Sequence, residues 1–287
     1  MSHRRNLMHP YRRILHPTDL SPHCQPAFVH ALRLALSNQG NLEILYCSTE
    51  SGDPPFDRFP RVRQKLIRWG VLPEGASKQE VVDLGVHVRK QVVWGDPTRE
   101  IANESFERDS DLLVMASHAR GGWRRLLSES VSTNALQQAR IPGLLLPRDE
   151  AGFVNQHTGE FQLDRVLIPV APQPESWSAL VAATRMVASL KPGSGILLQI
   201  YVGQSHDFPG GRCPEAPPGW VWEQKVVAGQ PVAELMKFAE EWRPQLAVMA
   251  SQGQDSWRDR WFGSTLEQLL GKLHCPILVV PPQPADV

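Results

Sequence analysis

Short apolar runs alternate with segments of helical periodicity along the whole chain. Apolar residues recur three and four positions apart at Ala27, Phe28, Ala31, Leu32 and Ala35, which is typical of one face of an amphipathic helix. The apolar runs predict five strands in each half, at residues 14–18, 42–47, 86–94, 112–115 and 143–146, and at 166–170, 196–202, 220–228, 246–249 and 277–280. Strands that alternate with helices predict a parallel sheet covered by helices.

The pattern occurs twice because the sequence repeats itself. Residues 92–97 (Val-Val-Trp-Gly-Asp-Pro) recur at 226–231 (Val-Val-Ala-Gly-Gln-Pro), and the Met-Ala-Ser at 115–117 recurs at 249–251, in each case 134 positions later. A period this long indicates a duplicated domain rather than a solenoid repeat of about 20–50 residues. We predict a first domain at residues 1–148, a polar, turn-rich linker at 149–162 that could form a small hairpin, and a second domain at 163–287.

The two copies differ in length after their second strands. Pro17 and Pro169 are 152 positions apart rather than 134, so the first copy holds 18 more residues in this region. Residues 57–70 of the first copy predict a basic helix, whereas residues 203–219 of the second are rich in glycine and proline and predict a loop. We interpret the basic segment 61–68 as a solvated helix face, with binding of nucleic acid or of an acidic partner as the alternative.

The turn after the first strand can be interpreted either as a helix cap or as part of a catalytic site. Pro22 and Pro174 predict the first turn of the next helix in each copy, since a proline needs no N–H partner there. Ser21 is then predicted to cap the helix. Asp19, Ser21 and His23 could instead form a hydrolase triad, but the chain lacks a Gly-x-Ser-x-Gly elbow. We favour the capping role and predict no catalytic residue.

Composition excludes several classes of protein. The 287 residues include 30 lysines and arginines and 30 aspartates and glutamates, so a nucleic-acid binder that depends on a strong positive field is not expected. The four cysteines are scattered, so neither zinc ligation nor a redox dithiol is predicted. No apolar stretch approaches about 18 residues, and the basic, polar start does not resemble a signal peptide. A cytoplasmic protein without a membrane segment is therefore predicted.

The loop after the fourth strand carries the most specific motif. In the second copy, Gly253 follows Ala250 by three positions, and nine residues separate Gly253 from the pair Gly263 and Ser264. This spacing resembles the nucleotide-binding signature of the universal stress protein family, Gly-x2-Gly-x9-Gly-Ser/Thr, with Ala250 in place of the first glycine. Glycine lets the backbone approach a phosphate closely, and Ser264 at a helix start offers N–H and O–H donors.

The resemblance extends over nearly the whole chain, twice. It includes the Pro-Thr-Asp-x-Ser at 17–21 and the Pro-x-Leu-x-Val at 276–280. It implies a bacterial-type protein of class α/β, with two flavodoxin-like (adenine nucleotide alpha hydrolase-like) doubly wound parallel-sheet domains in tandem. It also implies an adenine nucleotide as ligand, with ATP, with or without Mg²⁺, favoured and AMP or a cyclic nucleotide left open. Finally, it implies that the last strands, at 141–147 and 275–281, pair edge to edge, so the halves could form an internal pseudo-dimer, with a further homodimer left open.

The first copy departs from the signature at all three glycine positions. Ala116, Ala119 and Glu129 stand there, and only Ser130 is retained. A carboxylate about 4 Å from a phosphate charge opposes binding by roughly 4 kcal/mol at a near-surface dielectric. We therefore interpret this loop as structural, with Glu129 paired to a neighbouring arginine.

At the end of the first strand, the second copy rather than the first departs from the family pattern. In the family, an aspartate after this strand contacts the base and ribose end of the nucleotide; Asp19 matches it in the first copy, whereas Ala171 occupies the position in the second. Because phosphates carry most of the ligand's charge, we favour the second half. The predicted site residues are Val170, Ala171, Ala250, Gly253, Gly263 and Ser264 in the second half, with Asp19 and Ser130 as weaker candidates in the first.

Three functions remain open at this point. The favoured one is adenine-nucleotide binding linked to stress adaptation, with no catalysis assigned and slow ATP turnover left open. The alternative class is a pseudo-dimeric scaffold in which both sites have decayed, which Glu129 and Ala171 support and the Gly263–Ser264 pair opposes. A nucleotide-dependent enzyme is the third.

Overall fold

A computed structural model describes residues 9–49, 56–117, 131–147, 150, 152–172, 175–191, 193–209, 212–251, 268–270 and 272–281. Internal contacts divide the chain into two compact units. The first unit is Tyr11–Phe161, and the second is Gln162–Val287 together with Met1–Pro10. The division falls at the C-terminal end of the segment predicted as a linker.

The first unit is built on a five-stranded parallel sheet. Its elements are, in order, β1 (Arg13–Pro17), α1 (Gln25–Asn38), β2 (Asn41–Ser48), α2 (Val62–Arg68), α3 (Lys78–Asp83), β3 (His87–Trp94), α4 (Pro97–Glu107), β4 (Leu112–Ser117), α5 (Val131–Ala139) and β5 (Gly143–Pro147). Short 3-10 turns lie at Pro22–Cys24 and Phe56–Arg58. The strands pair in the order β3-β2-β1-β4-β5.

The second unit repeats this plan. Its elements are β6 (Arg165–Val170), α6 (Trp177–Leu190), β7 (Gly195–Val202), β8 (Trp220–Val227), α7 (Pro231–Trp242), β9 (Leu246–Ala250) and β10 (Ile277–Val280), with a 3-10 turn at Ser205–Asp207. The strands pair in the order β8-β7-β6-β9-β10, again all parallel. The predicted doubly wound α/β class is confirmed, and both orders match the first five strands of dinucleotide-binding sheets.

Burial on both faces explains the sequence of the central strands. In β4, Leu112, Leu113 and Val114 are all fully buried, as expected of a parallel strand with helices on both sides. The continuous apolar run therefore carries no alternation. No helix within the described part of the chain is long and apolar enough to cross a membrane.

The surplus residues of the first copy form two helices rather than the one predicted. The basic helix is present as α2, and α3 was not predicted. A capping box begins α3: Ser77 Oγ accepts from the amide of Glu80 at 3.3 Å, and Glu80 Oε2 accepts from the amide of Ser77 at 2.6 Å. The corresponding stretch of the second copy contains no α-helix among its described residues, as the sequence indicated.

The Gly-x-Pro repeat has a common structural cause. Gly95 and Gly229 follow β3 and β8 with φ of 149° and 140°, values that side chains rarely adopt. A Cβ on Gly95 would lie 3.2 Å from Glu100, and one on Gly229 would lie 2.7 Å from Glu234. The glycine thus allows the turn and the close approach of the next helix, whose first residue is the proline.

The two units hold the equivalent helix against the sheet by different chemistry. In the first unit, Glu104 of α4 accepts hydrogen bonds from Arg108 Nε at 2.7 Å and from Gln91 Nε2 at 3.0 Å. Arg108 Nε also lies 3.4 Å from Glu43 Oε2, on β2. Burial, followed by the Glu104 carboxyl group, raises the pKa of Glu43 to about 7. Arg89 Nε lies 3.7 Å from Glu43 Oε1, so this polar cluster holds two buried acids and two arginines.

Aromatic residues occupy the matching positions of the second unit. Phe238 and Trp242 stack with ring centroids 5.7 Å apart, and Lys225 Nζ lies 4.5 Å from the Phe238 centroid. These residues stand 134 positions after Glu104, Arg108 and Gln91. By strand register Leu198 replaces Glu43. Buried ion pairs and apolar packing are often interchangeable in stability, which explains how the copies diverged without losing the fold.

Candidate functional site

The central strands of the first unit part at their carboxyl ends. The β1–β4 ladder stops at the pair Leu15 and Leu113, whereas β1 remains paired with β2 as far as Pro17 and β4 with β5 as far as Ser117. Ligands of doubly wound sheets bind in the crevice at the carboxyl ends of strands, where the strand order reverses. The reversal lies between β1 and β4, so the geometry indicates a crevice there.

The second unit parts in the same way. The β6–β9 ladder stops at Leu167 and Ala247, although β6 stays paired with β7 as far as Val170 and β9 with β10 as far as Ala250. Three of the predicted site residues therefore lie at this edge: Val170 and Ala171 at the end of β6, and Ala250 at the end of β9.

The prolines at 17 and 169 contribute to this parting. The amide of Thr18 donates to Leu45 O on β2 at 2.8 Å. Since the backbone amides of successive residues in a strand point to opposite sides, the backbone nitrogen of residue 17 faces β4. Pro17 has no N–H and cannot extend the ladder towards β4. Pro169 occupies the matching position in β6.

His16 joins β1 to β4 where the ladder ends. Its ring is fully buried, and Nδ1 lies 2.8 Å from Val114 O, so Nδ1 is the donor. Burial lowers the pKa of His16 to about 4, so the ring is neutral near pH 7. The equivalent residue of the second unit is Ile168, also fully buried, which packs there without such a hydrogen bond. The residue buried where the central ladder ends is therefore polar in one unit and apolar in the other.

Asp19 stands at the end of β1, as predicted, and organises the turn that follows. Its Oδ1 accepts from the amide of Ser21 at 2.8 Å and from the thiol of Cys24 at 3.0 Å. Burial raises the pKa of Cys24 to about 11, which keeps the thiol protonated and able to donate. Leu20 has a φ of 61°, and its amide donates to Thr18 Oγ1 at 3.0 Å. A leucine in this region is uncommon and is found where surrounding contacts enforce it.

The predicted capping role of the Ser21 side chain is wrong. Ser21 is at the N-cap position of the turn, but its hydroxyl makes no capping bond and has no hydrogen-bond partner in the described part of the chain. The amide of Cys24 donates instead to the Ser21 carbonyl at 3.1 Å, and Pro22 has no amide to offer. The same observation gives the triad no support, because the Ser21 hydroxyl makes no bond to a histidine.

The second unit builds its turn without an aspartate. Ser176 Oγ accepts from the amide of Ala171 and donates to the Ala171 carbonyl, both at 3.3 Å. Ser176 precedes α6, which begins at Trp177; Pro174, which the sequence predicts in the first turn of this helix, lies outside the described residues. Ser176 is at the N-cap position of α6, but its side chain makes no capping hydrogen bond to the helix.

A serine closes the fourth strand in both units. Ser117 Oγ donates to Leu146 O, and Ser251 Oγ donates to Val280 O, each at 3.1 Å. These bonds tie the start of the motif loop to the last strand. The repeated Met-Ala-Ser is thus explained by a structural role of its serine.

Four of the predicted site residues lie outside the described residues. They are Gly253, Gly263 and Ser264 of the second half and Ser130 of the first half. Glu129 also lies outside them. The described part of the predicted site consists of Val170, Ala171 and Ala250 in one unit and of Asp19 in the other.

Known proteins resemble the chain in sequence. The profile of the universal stress protein family matches residues 10–147 and 209–281. Universal stress proteins MJ0531 and MJ0577 of Methanocaldococcus jannaschii are 25% identical over 147 residues and 23% identical over 155 residues. These matches cover 50% and 48% of this chain and 86% and 96% of the relatives. Each relative thus corresponds to about half of the chain, as a duplication requires.

Solved structures resemble the chain in fold over nearly its whole length. A universal stress protein from Archaeoglobus fulgidus has a TM-score of 0.60 and 22% identity, covering 93% of this chain and 97% of that one. The functionally unknown protein PA1789 from Pseudomonas aeruginosa has a TM-score of 0.65 and 15% identity, covering 96% and 95%. At such identities the likeness is one of fold.

Proposed function

Because the chain belongs to the universal stress protein family, we propose that it binds one adenine nucleotide, ATP with or without Mg²⁺, in its second half. Binding would serve stress adaptation, with no catalytic step assigned. Asp19 would not contribute a second site, since the first half has lost the glycines of its phosphate loop.

The crevice between β6 and β9 is the observation that carries the proposal. The two strands pair only at two positions, and the segment that holds Gly253, Gly263 and Ser264 follows directly from the end of β9. Phosphates would lie over this loop, where glycines admit close approach and backbone amides donate. The base and ribose would lie towards Val170 and Ala171.

Charge supports the choice of the second half. Among the described residues, the ends of β6 and β9 present Val170, Ala171, Ala250 and Ser251, none of which repels an anion. The first half carries Glu129 at the phosphate-loop position where the second carries Gly263. The electrostatic repulsion between protein carboxylates and a polyphosphate is therefore weaker in the second half.

Paired substitutions at one aligned position test the proposal. Gly263→Glu introduces the carboxylate that the first half carries, and Glu129→Gln removes that carboxylate 134 positions earlier. In calorimetric titration with Mg-ATP, we expect Gly263→Glu to weaken binding at least about a hundredfold and Glu129→Gln to leave it unchanged. Equal affinity of the two variants would contradict a site in the second half.

A scaffold without nucleotide is the competing function. Ser176 holds both backbone groups of Ala171, and Asp19 Oδ1 bonds within its own turn, so both strand ends are held by structural hydrogen bonds. No heat with Mg-ATP, for the unmodified chain and for both variants, would favour the scaffold. Pairing of the halves through their last strands, and any further homodimer, stay predictions.

A further inference from the structure

A groove lies on the first unit between α2, α3 and one face of β3, on strand and helix faces that contribute nothing to the crevice. Its volume is about 660 Å³, within the range of small-molecule sites. The residues that line it are Arg61, Val62, Arg63, Gln64, Lys78, Val81, Val82, Val86, Val88 and Lys90. Five valines and four cationic side chains dominate, and no acidic residue of the described chain contributes.

The valines form an apolar surface that continues to the mouth of the groove. Val62, Val81 and Val86 are buried, Val88 is half-buried on β3, and Val82 is 40% exposed on α3. An exposed valine beside buried ones leaves apolar surface in contact with water. An apolar chain that covered this surface would gain the free energy of its burial.

The four cations lack acidic partners within the described chain. No ion pair is formed by Arg61, Arg63, Lys78 or Lys90 there. Burial lowers the pKa of Lys90, as do the nearby charges of Lys78 and Arg61. The carboxylates of α3 accept local bonds instead, Glu80 from Ser77 and Asp83 from Gln79. Crowded cations without a counter-charge favour an anion from outside the chain.

Among its described residues the second unit has no counterpart of α2 or α3, so these residues form no matching groove. At the position that matches Val88, 134 residues later, stands Trp222. Its Nε1 donates to Pro214 O at 2.9 Å, within the loop that replaces the helices. The same strand face is therefore covered in one unit and open in the other, although the open version uses 18 additional residues (152 positions against 134).

We infer that this groove binds a single-chain anionic amphiphile, a fatty carboxylate, with its chain on the valines and its carboxylate among Arg61, Arg63, Lys78 and Lys90. An extended polyanion such as nucleic acid needs charge along a surface, whereas these cations border an apolar recess. A free phosphate would use the cations but not the valines. The combination selects one ligand that has both an anionic head and an apolar tail.

Chain length distinguishes this ligand from a simple anion. Octanoate, decanoate and laurate would be titrated calorimetrically into the full chain below their micellar concentrations, with acetate and inorganic phosphate as controls. Each added methylene that becomes buried should strengthen binding about fourfold until the groove is filled. Equal binding of acetate, phosphate and laurate, or no binding of laurate, would overturn the inference.

Two charge reversals locate the site. Lys78 is the first residue of α3, where a negative side chain favours the helix, so Lys78→Glu should fold and should weaken laurate binding at least about tenfold. Lys237→Glu, on an exposed position of α7 in the second unit, should leave it unchanged. An equal loss in both variants would overturn the inference, since it would indicate a general charge effect.

Membrane binding is separated by a further arm. Vesicles that contain phosphatidylglycerol offer an anionic phosphodiester head with its acyl chains held in a bilayer. Sedimentation with these vesicles, combined with no binding of monomeric laurate, would overturn the inference. Laurate binding should persist in Gly263→Glu, so the test of the groove is independent of the test of the nucleotide site.

Discussion

His30 holds the segment after β5 against the first unit, and its removal should release that segment. The ring is fully buried. Nε2 accepts from the amides of Phe153 and Val154 at 3.0 and 3.2 Å, and Nδ1 lies 2.7 Å from Pro26 O, so it donates. The Phe153 ring meets the imidazole edge-on at a centroid distance of 4.4 Å. In the described part of the predicted hairpin, a single antiparallel bridge joins Val154 to Phe161.

His30→Phe keeps an aromatic ring but removes the acceptor. Two backbone amides then remain buried without a partner, at about 1–3 kcal/mol each. The ring contact with Phe153 survives, so we expect the first unit to lose about 2–5 kcal/mol of unfolding free energy. Trp69 Nε1 donates to Gln156 O at 3.2 Å, which leaves a second anchor for the segment, so the unit should still fold.

Hydrogen exchange followed by mass spectrometry measures this release directly. Peptides that contain residues 152–161 should exchange at least about tenfold faster in His30→Phe, and urea unfolding should give the loss of free energy. His157→Phe is the matched control, because His157 lies exposed in the same segment. Unchanged exchange in His30→Phe, or equal acceleration in His157→Phe, would refute the role of His30.

Three further predictions concern titration, packing and ligand affinity. Burial lowers the pKa of both His16 and His30 to about 4, below the unfolded value of about 6.5. The contribution of each neutral ring to the unfolding free energy is therefore complete above about pH 6.5. It is lost as pH falls towards 4, by up to about 3 kcal/mol for each histidine. Unfolding free energies measured between pH 7 and pH 4 should show this loss, and a flat profile would contradict it. Burial first, then Glu104, raises the pKa of Glu43 to about 7. The contribution of protonated Glu43 to the unfolding free energy is therefore complete below about pH 4.5 and is lost as pH rises through 7. Glu43→Leu, which copies Leu198 of the second unit, should therefore stabilise the chain by about 1–2 kcal/mol at pH 8 and less at pH 5; denaturant midpoints at both pH values test this, and a larger gain at pH 5 would contradict it. Ala171→Asp restores the family's aspartate in the second half and should strengthen Mg-ATP binding about tenfold by calorimetry, whereas unchanged or weaker binding would contradict the proposed ribose contact.

The sequence repeat makes the fold predictable, because the third to fifth strands recur 134 positions later and each apolar run is supported by its counterpart. The sequence does not predict α3, because its six residues are too few to show a helical repeat of apolar positions. Ser77 and Glu80 nevertheless stand at the spacing of a capping box.

Long-range contacts were beyond the sequence. His30 and Val154 are 124 positions apart, and no local pattern marks a histidine as an acceptor for a distant segment. The groove likewise draws Lys78 and Lys90 from two elements whose packing the sequence does not reveal. The candidate crevice was predicted at its strand ends, because strand order and a glycine motif are both visible in sequence. The burial of His16 and Ile168 where the central ladders end was not predicted.

Photolabelling tests the central claim most directly, since it reports where a nucleotide binds. The full chain would be irradiated with 8-azido-ATP and Mg²⁺, digested and mapped by mass spectrometry, with excess ATP as competitor. The account predicts competed label in the second half, in peptides that contain residues 165–171 or 250–270. Competed label confined to the first half, around residues 13–21 or 115–131, would contradict it, as would label that excess ATP does not displace.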